Sequence, residues 1–301
     1  MKKVLLILVF VYALVPRIFS LELELVGGLG NLAFDSDRIS PLGDDDPDKT
    51  KAFSPYFFPL ALAQLSGEFR GFSCSAGFER DSLLRNRLFA NVALHLDYLF
   101  LEAGPVFGIF NSSKLPISPG LSAGLGLEIP GIVFIRAHGS STLGILMEET
   151  DNYFQQSGDL SAGFWVPYVI CSLNMSVRNF TQREQTNLLT EDNLVRYFFR
   201  ADVYTKNVPY SVRVDFGFQS LSRSYTTQSV SGTDIVKDTE TDELKSIFMG
   251  LEGSYTFSPA LKFLLAGEMP VHTWSVRPMG DPPKNSFLFQ ARIGVIWTIM
   301  Q

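Results

Sequence analysis

Apolar and polar residues alternate with a period of two along most of the chain, which is the pattern of β-strands that face a different environment on each side. The last segment is the clearest, since Phe287, Trp297 and the odd positions between them are apolar, whereas most even positions are polar or glycine. Residues 88–98, 194–205 and 210–220 repeat the pattern. Segments of about 9–13 residues approach the length of a tilted strand that crosses a bilayer, whereas strands of soluble proteins average about 5–6 residues.

The connections between the predicted strands alternate between short and long. Short connections are expected near Ser66, Leu99, 130–131, 167–168, 207–209 and 258–259. Longer polar connections are expected at 35–54, 81–86, 111–117, 147–158, 179–193, 221–243 and 270–285. Together they predict fourteen antiparallel strands, with twelve as the alternative because the pattern is weakest between residues 55 and 86.

One uncharged segment, residues 160–177, is long enough to be considered as a transmembrane helix. Pro167 lies in its middle, where it would break a helix. If the chain instead turns at Pro167 and Tyr168, the apolar residues of each arm fall on one face of a strand. The segment therefore predicts a β-hairpin.

The first twenty residues have the layout of a secretory signal peptide. Two lysines precede the uncharged apolar run 4–15, and Ser20 is a small residue at the expected cleavage position. An N-terminal membrane anchor is the alternative, although the run is short for a membrane-spanning helix. We therefore expect a signal peptide at 1–20 and one exported domain at 21–301.

Composition removes several classes of protein. The chain is 46% apolar with a mean hydropathy of +0.14, yet it lacks the several apolar runs of about 18 residues that a bundle of membrane helices needs. An aromatic content of 13% excludes intrinsic disorder. The net charge of −6 and a pI near 5.2 argue against binding to nucleic acid.

On the signal segment, the alternation, the rhythm of the connections and the closing strand 287–299, the chain resembles the outer-membrane β-barrel proteins of diderm bacteria, in the size class of monomeric fourteen-stranded pores. The resemblance implies an all-β, antiparallel up-and-down transmembrane barrel in the bacterial outer membrane. It also implies contact with outer-membrane lipid and with the insertion machinery. The chain departs from the usual aromatic C-terminus, since it ends in Ile299, Met300 and Gln301.

A lumen of fourteen strands is too wide for strand side chains alone to fill, so it holds water unless loops fold inward. The predicted function is therefore a porin-like channel for the passive diffusion of small polar solutes, without a cofactor. The alternative is a barrel-anchored surface protein whose loops 35–54, 179–193 and 221–243 mediate adhesion or bind a partner. A soluble periplasmic β-protein is a third interpretation.

Two sets of charged residues are predicted to line the pore. The acidic set on the earlier strands is Glu22, Glu24, Glu79, Asp97, Glu102 and Glu128. The basic set, mostly on the later strands, is Arg136, Arg178, Arg196, Arg200, Arg213 and Arg292. We hypothesise that an acidic wall faces a basic wall and orients polar solutes. The alternative is a set of paired, solvated charges without selectivity.

Candidate catalytic and metal-binding residues are few. His95 lies two residues from Asp97, but the sequence picks out no serine for a Ser–His–Asp arrangement. Cys74 and Cys171 are predicted on outward faces of distant strands, so neither a disulfide nor a metal site is expected. The chain is therefore not expected to be an enzyme.

Overall fold

The computed structural model describes residues 20–30, 58–69, 71–109, 117–143, 152–185, 188–204, 208–231, 234–277 and 289–300. These residues form a closed barrel of fourteen antiparallel strands in which every strand pairs with its neighbours in sequence and β1 pairs with β14. The strands are β1 (Ser20–Gly30), β2 (Phe58–Phe69), β3 (Phe72–Asp81), β4 (Arg85–Leu96), β5 (Leu99–Ile109), β6 (Ile117–Ile129), β7 (Val133–Thr142), β8 (Asn152–Val166), β9 (Val169–Gln185), β10 (Leu188–Tyr204), β11 (Tyr210–Ser231), β12 (Asp234–Ser258), β13 (Leu261–Arg277) and β14 (Gln290–Met300). Fourteen strands, rather than twelve, are thus confirmed.

The outer face of the barrel is an apolar surface. Leu121 and Leu265 are 65% and 66% exposed, and large apolar side chains project outward from strands all around the barrel. Exposed aromatic residues lie beside the short turns: Phe72, Tyr98, Tyr168, Tyr210, Tyr255, Phe257 and Trp297. An apolar band with an aromatic girdle is the surface that a transmembrane barrel presents to lipid. The third interpretation, a soluble β-protein, is therefore wrong.

The uncharged segment between Leu160 and Val177 forms the predicted hairpin. β8 ends at Val166 and β9 begins at Val169, with Tyr168 in the left-handed region at φ 71°. Within the described residues, no helix has the length and apolar character needed to cross a membrane. Cys74 and Cys171 lie on the outer faces of β3 and β9, and both are free thiols.

Several connections differ from the predicted ones. Residues 179–193 and 221–243 were expected to be loops, but β9 to β12 continue through nearly all of them, and β8 and β13 extend into 147–158 and 270–285 in the same way. Polar side chains pair across these extended strands, as Thr226 Oγ1 and Thr239 Oγ1 do at 3.1 Å. Where no lipid contacts the outer face, both faces of a strand can be polar, and the period of two disappears.

Smaller shifts affect the short connections near Ser66 and Leu99. Ser66 lies within β2, paired with Ser75, so the first short turn comes later, before Phe72. The second lies at 97–98, just before Leu99. The predicted loop 35–54, most of the predicted loop 111–117 and nearly all of the predicted signal peptide lie outside the described residues.

The barrel has a sharp corner at β6. The inner face of this strand carries only small residues above Glu128: Ser118, Gly120, Ser122, Gly124 and Gly126. A Cβ atom on Gly120 would lie 2.2 Å from the carbonyl oxygen of Ser141 on β7. Because these side chains are so small, Cα atoms of β5 and β7 approach within 8 Å of each other across β6.

The short turn between β3 and β4 folds into the barrel at the end that carries the long connections, here called the loop end. Leu83 and Leu84 of this turn are fully buried, with Leu84 0% exposed. Asp81 Oδ1 accepts hydrogen bonds from the backbone N–H groups of both residues, at 2.7 and 2.9 Å. The turn packs in a buried apolar layer inside the barrel that consists of Leu83, Leu84, Tyr153, Phe180, Leu194, Leu221 and Leu244.

Candidate functional site: a charged chamber in the lumen

A cavity of about 630 Å³ occupies the lumen between the apolar layer and the opposite, short-turn end of the barrel. Phe100 and Glu102, near the start of β5, line it toward the short-turn end. Ser82, Leu194 and Phe248 line it below the loop end. We refer to this cavity as the chamber. Its position makes the inner faces of the strands, rather than the loops, the candidate site.

Most of the residues predicted to line a pore lie on the chamber. Glu79, Glu102, Arg136, Arg178, Arg196, Arg200, Arg213 and Arg292 line it directly. Glu24 lines a smaller adjoining cavity of about 150 Å³. Glu22 lies two residues from Glu24 on the same face of β1, and Glu128 is on the inner face of β6, paired with Arg136. Asp97 was wrongly assigned to a strand, because β4 ends at Leu96 and Asp97 lies exposed in the following turn.

The arginines of the later strands are neutralised on their own side of the barrel. Arg200 on β10 donates from Nε and Nη2 to both carboxylate oxygens of Asp215 on β11, each at 2.8 Å. Arg213 donates from Nε to Asp202 at 2.5 Å and from Nη1 to Glu252 at 3.1 Å. Arg178 pairs with Asp159 at 3.1 Å, and Arg136 with Glu128.

The hypothesis of a basic wall is therefore wrong. Neighbouring strands supply carboxylates directly beside the guanidinium groups, and this local pairing cancels the field that two opposed walls would produce.

Arg196 makes the longest-range ion pair of the chamber. From β10 it donates from Nη1 and Nη2 to Glu268 on β13, at 3.1 and 2.6 Å. Its guanidinium carbon lies 5.2 Å from the ring centroid of Phe248, which in turn packs edge-on against Phe198 at 5.8 Å. A bidentate ion pair whose guanidinium packs against an aromatic ring holds both charges in fixed positions.

Sequence analysis missed Arg87, which crosses the narrow side of the lumen. From β4, Arg87 pairs with Glu79 at 2.5 Å and donates from Nη1 to Ser140 on β7 and Ser157 on β8, at 3.3 and 3.1 Å. Extending the alternation of residues 88–98 by one position would have placed Arg87 on the inner face. The pairing partners Asp159, Glu252 and Glu268 were missed as well, because no residue of β8, β12 or β13 was assigned to the inner face.

The loop end of the chamber is closed by contacts between β8 and the β3–β4 turn. Gln155 Nε2 donates to the backbone oxygen of Leu84 and, at 3.3 Å, to that of Asn86, while Gln155 Oε1 is buried without a partner. Gly108 leaves room for this amide, because a Cβ there would lie 2.6 Å from Gln155 Oε1. Tyr153 donates its hydroxyl to the Gly108 oxygen at 2.7 Å.

A buried ion pair lies beside the apolar layer, where Asp192 is opposite Phe180, and beyond the apolar band of the outer face. Arg223 donates from Nε and Nη2 to the two oxygens of Asp192, and the two side chains are 3% and 6% exposed. Burial alone would lower the pKa of the Arg223 guanidinium, but the Asp192 carboxylate raises it above its ordinary value. The Arg223 guanidinium is thus held in its charged form in the interior.

One pair of side chains has the first two members of a catalytic triad. Ser73 Oγ lies 2.9 Å from His95 Nε2 at the short-turn end. Among the described residues, no carboxylate bonds the other ring nitrogen of His95, so the group that would orient the base is missing. In the same part of the chain, no three acidic, histidine or cysteine side chains are grouped closely enough to hold a metal.

No protein-family model matches the sequence, and no curated protein matches it. A bacterial polysaccharide outer membrane secretin is similar in structure, with a TM-score of 0.50 and 9% identity over 95% of this chain and 99% of that chain. A loop L8 deletion mutant of OmpT, an outer membrane protein of Vibrio cholerae, aligns with a TM-score of 0.43 and 7% identity over 93% of this chain and 99% of that chain. A porin aligns with a TM-score of 0.40 and 9% identity over 93% of this chain and 100% of that chain.

The secretin shares the architecture and little of the sequence, so this comparison concerns the fold. It agrees with the closed barrel that the described strands form. The chain therefore has the fold of the outer-membrane β-barrel proteins of bacteria.

Proposed function

We propose that this protein is an outer-membrane channel for the passive diffusion of small polar solutes, and that the chamber is its permeation path. The observation that carries the proposal is the chamber itself, a charged cavity of about 630 Å³ along the barrel lumen. Its ion pairs give the lumen a polar lining without a cofactor. By the usual sidedness of such barrels, the short turns face the periplasm.

The apolar layer makes this a channel that is closed at its outer end. The closely packed side chains at this level, which include Arg85 with its guanidinium carbon 5.8 Å from the ring centroid of Phe180, block the passage of water and ions. Passage then requires the β3–β4 turn to leave the layer. In the described part of the chain, two hydrogen bonds from Gln155 connect β8 to the backbone of this hairpin, and the unpartnered Gln155 Oε1 makes the closed arrangement less stable by about 1–3 kcal/mol than a fully bonded one.

Conductance in planar bilayers tests the proposal. Refolded wild-type protein is compared with Gln155→Ala, which removes the contacts that hold the turn, and with Gly158→Ala, where an added Cβ has no atom within 4 Å. We expect brief or rare openings of the wild type, openings at least about tenfold more frequent in Gln155→Ala, and no change in Gly158→Ala. Folding is verified by the heat-dependent migration of the barrel on gels.

A surface protein anchored by the barrel is the second candidate. It is favoured by the β11–β12 hairpin, whose strands of 22 and 25 residues exceed the length needed to cross a bilayer. Folded but silent barrels of both the wild type and Gln155→Ala would contradict the channel and support this anchor.

A further inference from the structure

The chamber carries more carboxylates than cations. From the level of the β3–β4 turn to the short-turn end, the inner faces of the described strands present twelve acidic and nine basic side chains. The acids are Glu22, Glu24, Glu68, Glu79, Asp81, Glu102, Glu128, Asp159, Asp202, Asp215, Glu252 and Glu268. The bases are Arg85, Arg87, Arg136, Arg178, Arg196, Arg200, Arg213, Lys262 and Arg292. Because the acidic side chains outnumber the basic ones, the lumen carries a net negative charge.

Six arginines are occupied by seven of these carboxylates. Five of them hold one carboxylate each, and Arg213 is shared between Asp202 and Glu252. Guanidinium groups held in this way have most of their field cancelled at short range. These arginines therefore offer little attraction to a passing anion.

Within the described part of the chain, five of these carboxylates form no ion pair: Glu22, Glu24, Glu68, Asp81 and Glu102. Asp81 accepts backbone hydrogen bonds at the loop end. The other four lie toward the short-turn end, where Lys262 is the cation without an ion pair among the described residues. Glu102 lines the chamber itself. Arg292 lines it as well, but its contact is with Gln290, at 3.2 Å. The part of the lumen that a solute meets first from the short-turn end is thus negative.

We infer that the chamber selects small cations over anions. The inference deepens the proposed channel and rests on it for the passage of solutes through the chamber. A negative potential in a narrow, low-dielectric lumen concentrates cations and depletes anions, and rings of carboxylates confer this preference on cation channels. Glu102 is the residue with the largest expected effect, because it is free, faces the chamber and belongs to no ion pair.

The charge of the chamber is measured by modification of a cysteine within it. Ser161, which lines the chamber, is replaced in Ser161→Cys, in a background with Cys74→Ser and Cys171→Ser. The rate of cysteine modification by a cationic trimethylammonium methanethiosulfonate is divided by the rate with an anionic, sulfonate-bearing methanethiosulfonate of similar size. The same ratio at Thr239→Cys, on the exposed outer face of the β11–β12 hairpin, is the reference, and Ser176→Cys replaces Ser161→Cys if that variant does not fold.

We expect the chamber ratio to exceed the reference ratio by at least about threefold at low salt and to approach it in about 1 M salt, where screening is strong. Glu102→Gln lowers the chamber ratio, whereas Asp238→Asn, on the exposed hairpin, leaves it unchanged. A ratio at or below the reference, or a cysteine that reacts with neither reagent, overturns the inference. A raised ratio in a barrel that never conducts keeps the inference about the chamber and rejects the channel.

Discussion

Arg196 on β10 and Glu268 on β13 form a bidentate ion pair between two strands that are not neighbours in the barrel. Both side chains are largely buried, and the pair spans the inner faces of β11 and β12. Such a contact fixes the distance between two parts of the wall that backbone hydrogen bonds do not join. It also positions the two charges on the edge of the chamber.

Loss of this ion pair is expected to destabilise the barrel measurably. Glu268→Gln leaves Arg196 with a neutral partner in a partly dry site, and we expect the free energy of unfolding to fall by about 1–3 kcal/mol. Urea unfolding in detergent micelles, followed by tryptophan fluorescence, measures the change. Glu128→Gln is the matched control, because its partner Arg136 is 53% exposed, and its effect should stay below about 1 kcal/mol. If Glu268→Gln and Glu128→Gln lower the free energy of unfolding equally, burial is not the reason why the Arg196–Glu268 pair stabilises the barrel.

A larger loss is expected at the buried pair beside the apolar layer, Asp192 with Arg223. Asp192→Ala leaves the Arg223 guanidinium buried without its carboxylate, which costs about 3–5 kcal/mol. The double variant Asp192→Leu with Arg223→Met removes both charges and should recover most of this stability. Unfolding midpoints in guanidinium report both values. If the double variant is no more stable than Asp192→Ala, the cost does not come from an uncompensated charge.

Gly108 provides an independent test of the closed loop end. Gly108→Ala adds a Cβ 2.6 Å from Gln155 Oε1, which must displace the amide from the β3–β4 turn. We expect openings in planar bilayers to become more frequent, as in Gln155→Ala. Gly139→Ala is the control, since its nearest added contact is an ordinary 3.4 Å. Unchanged openings in Gly108→Ala would mean that the turn is held by other contacts.

Ion selectivity should respond to Arg213 more strongly than to any exposed cation. Arg213→Gln frees two carboxylates at once, Asp202 and Glu252, so we expect the reversal potential in a salt gradient to move toward that of a more cation-selective pore. The reversal potential is measured in the Gln155→Ala background, which is expected to open often enough for the measurement. Lys237→Gln, on the exposed part of the hairpin, should leave the reversal potential unchanged. A shift toward anions would contradict the charge balance of the chamber.

The lipid-facing surface is tested by placing a charge on it. Leu125→Arg puts a guanidinium on the outer face of β6, at a side chain that is 55% exposed, and should destabilise the inserted barrel by about 2–4 kcal/mol. Thr239→Arg, on the exposed hairpin, should cost nothing measurable. Refolding into lipid vesicles, scored by gel migration across a urea series, compares the two. Equal stability would place Leu125 outside the hydrocarbon region.

Sequence alone was sufficient for the strands wherever lipid contacts one face and the lumen the other, because that difference of environment produces the period of two. It was insufficient for β9 to β13 beyond the bilayer, where residues such as Ser224 and Thr241 pair through their hydroxyls at 2.9 Å and no apolar signal remains. The β3–β4 turn was placed in a polar connection, yet its two leucines are buried. The sequence of the turn does not indicate whether it folds into the lumen or away from it.

For the chamber, the alternation of residues along each strand was enough to place Glu102, Arg200 and Arg213 on the inner face. This alternation could not identify ion-pair partners, since it carries no information on the register between neighbouring strands. The Arg200–Asp215 pair follows from that register, in which the two residues are direct neighbours. The Arg196–Glu268 pair depends on the curvature of the whole wall, which is a property of the closed barrel.

The glycine and serine inner face of β6 has a consequence for how pores of this kind acquire their size. Because β5 and β7 come within 8 Å of each other across β6, the wall bends at this strand, and strand number alone does not set the width of the lumen there. A substitution such as Gly120→Val would place a Cβ 2.2 Å from the carbonyl oxygen of Ser141, so the backbone of β7 would have to move away and the bend would open. The inner-face residues of one strand can therefore change the shape of the lumen, while the number of strands and the lipid-facing surface stay the same.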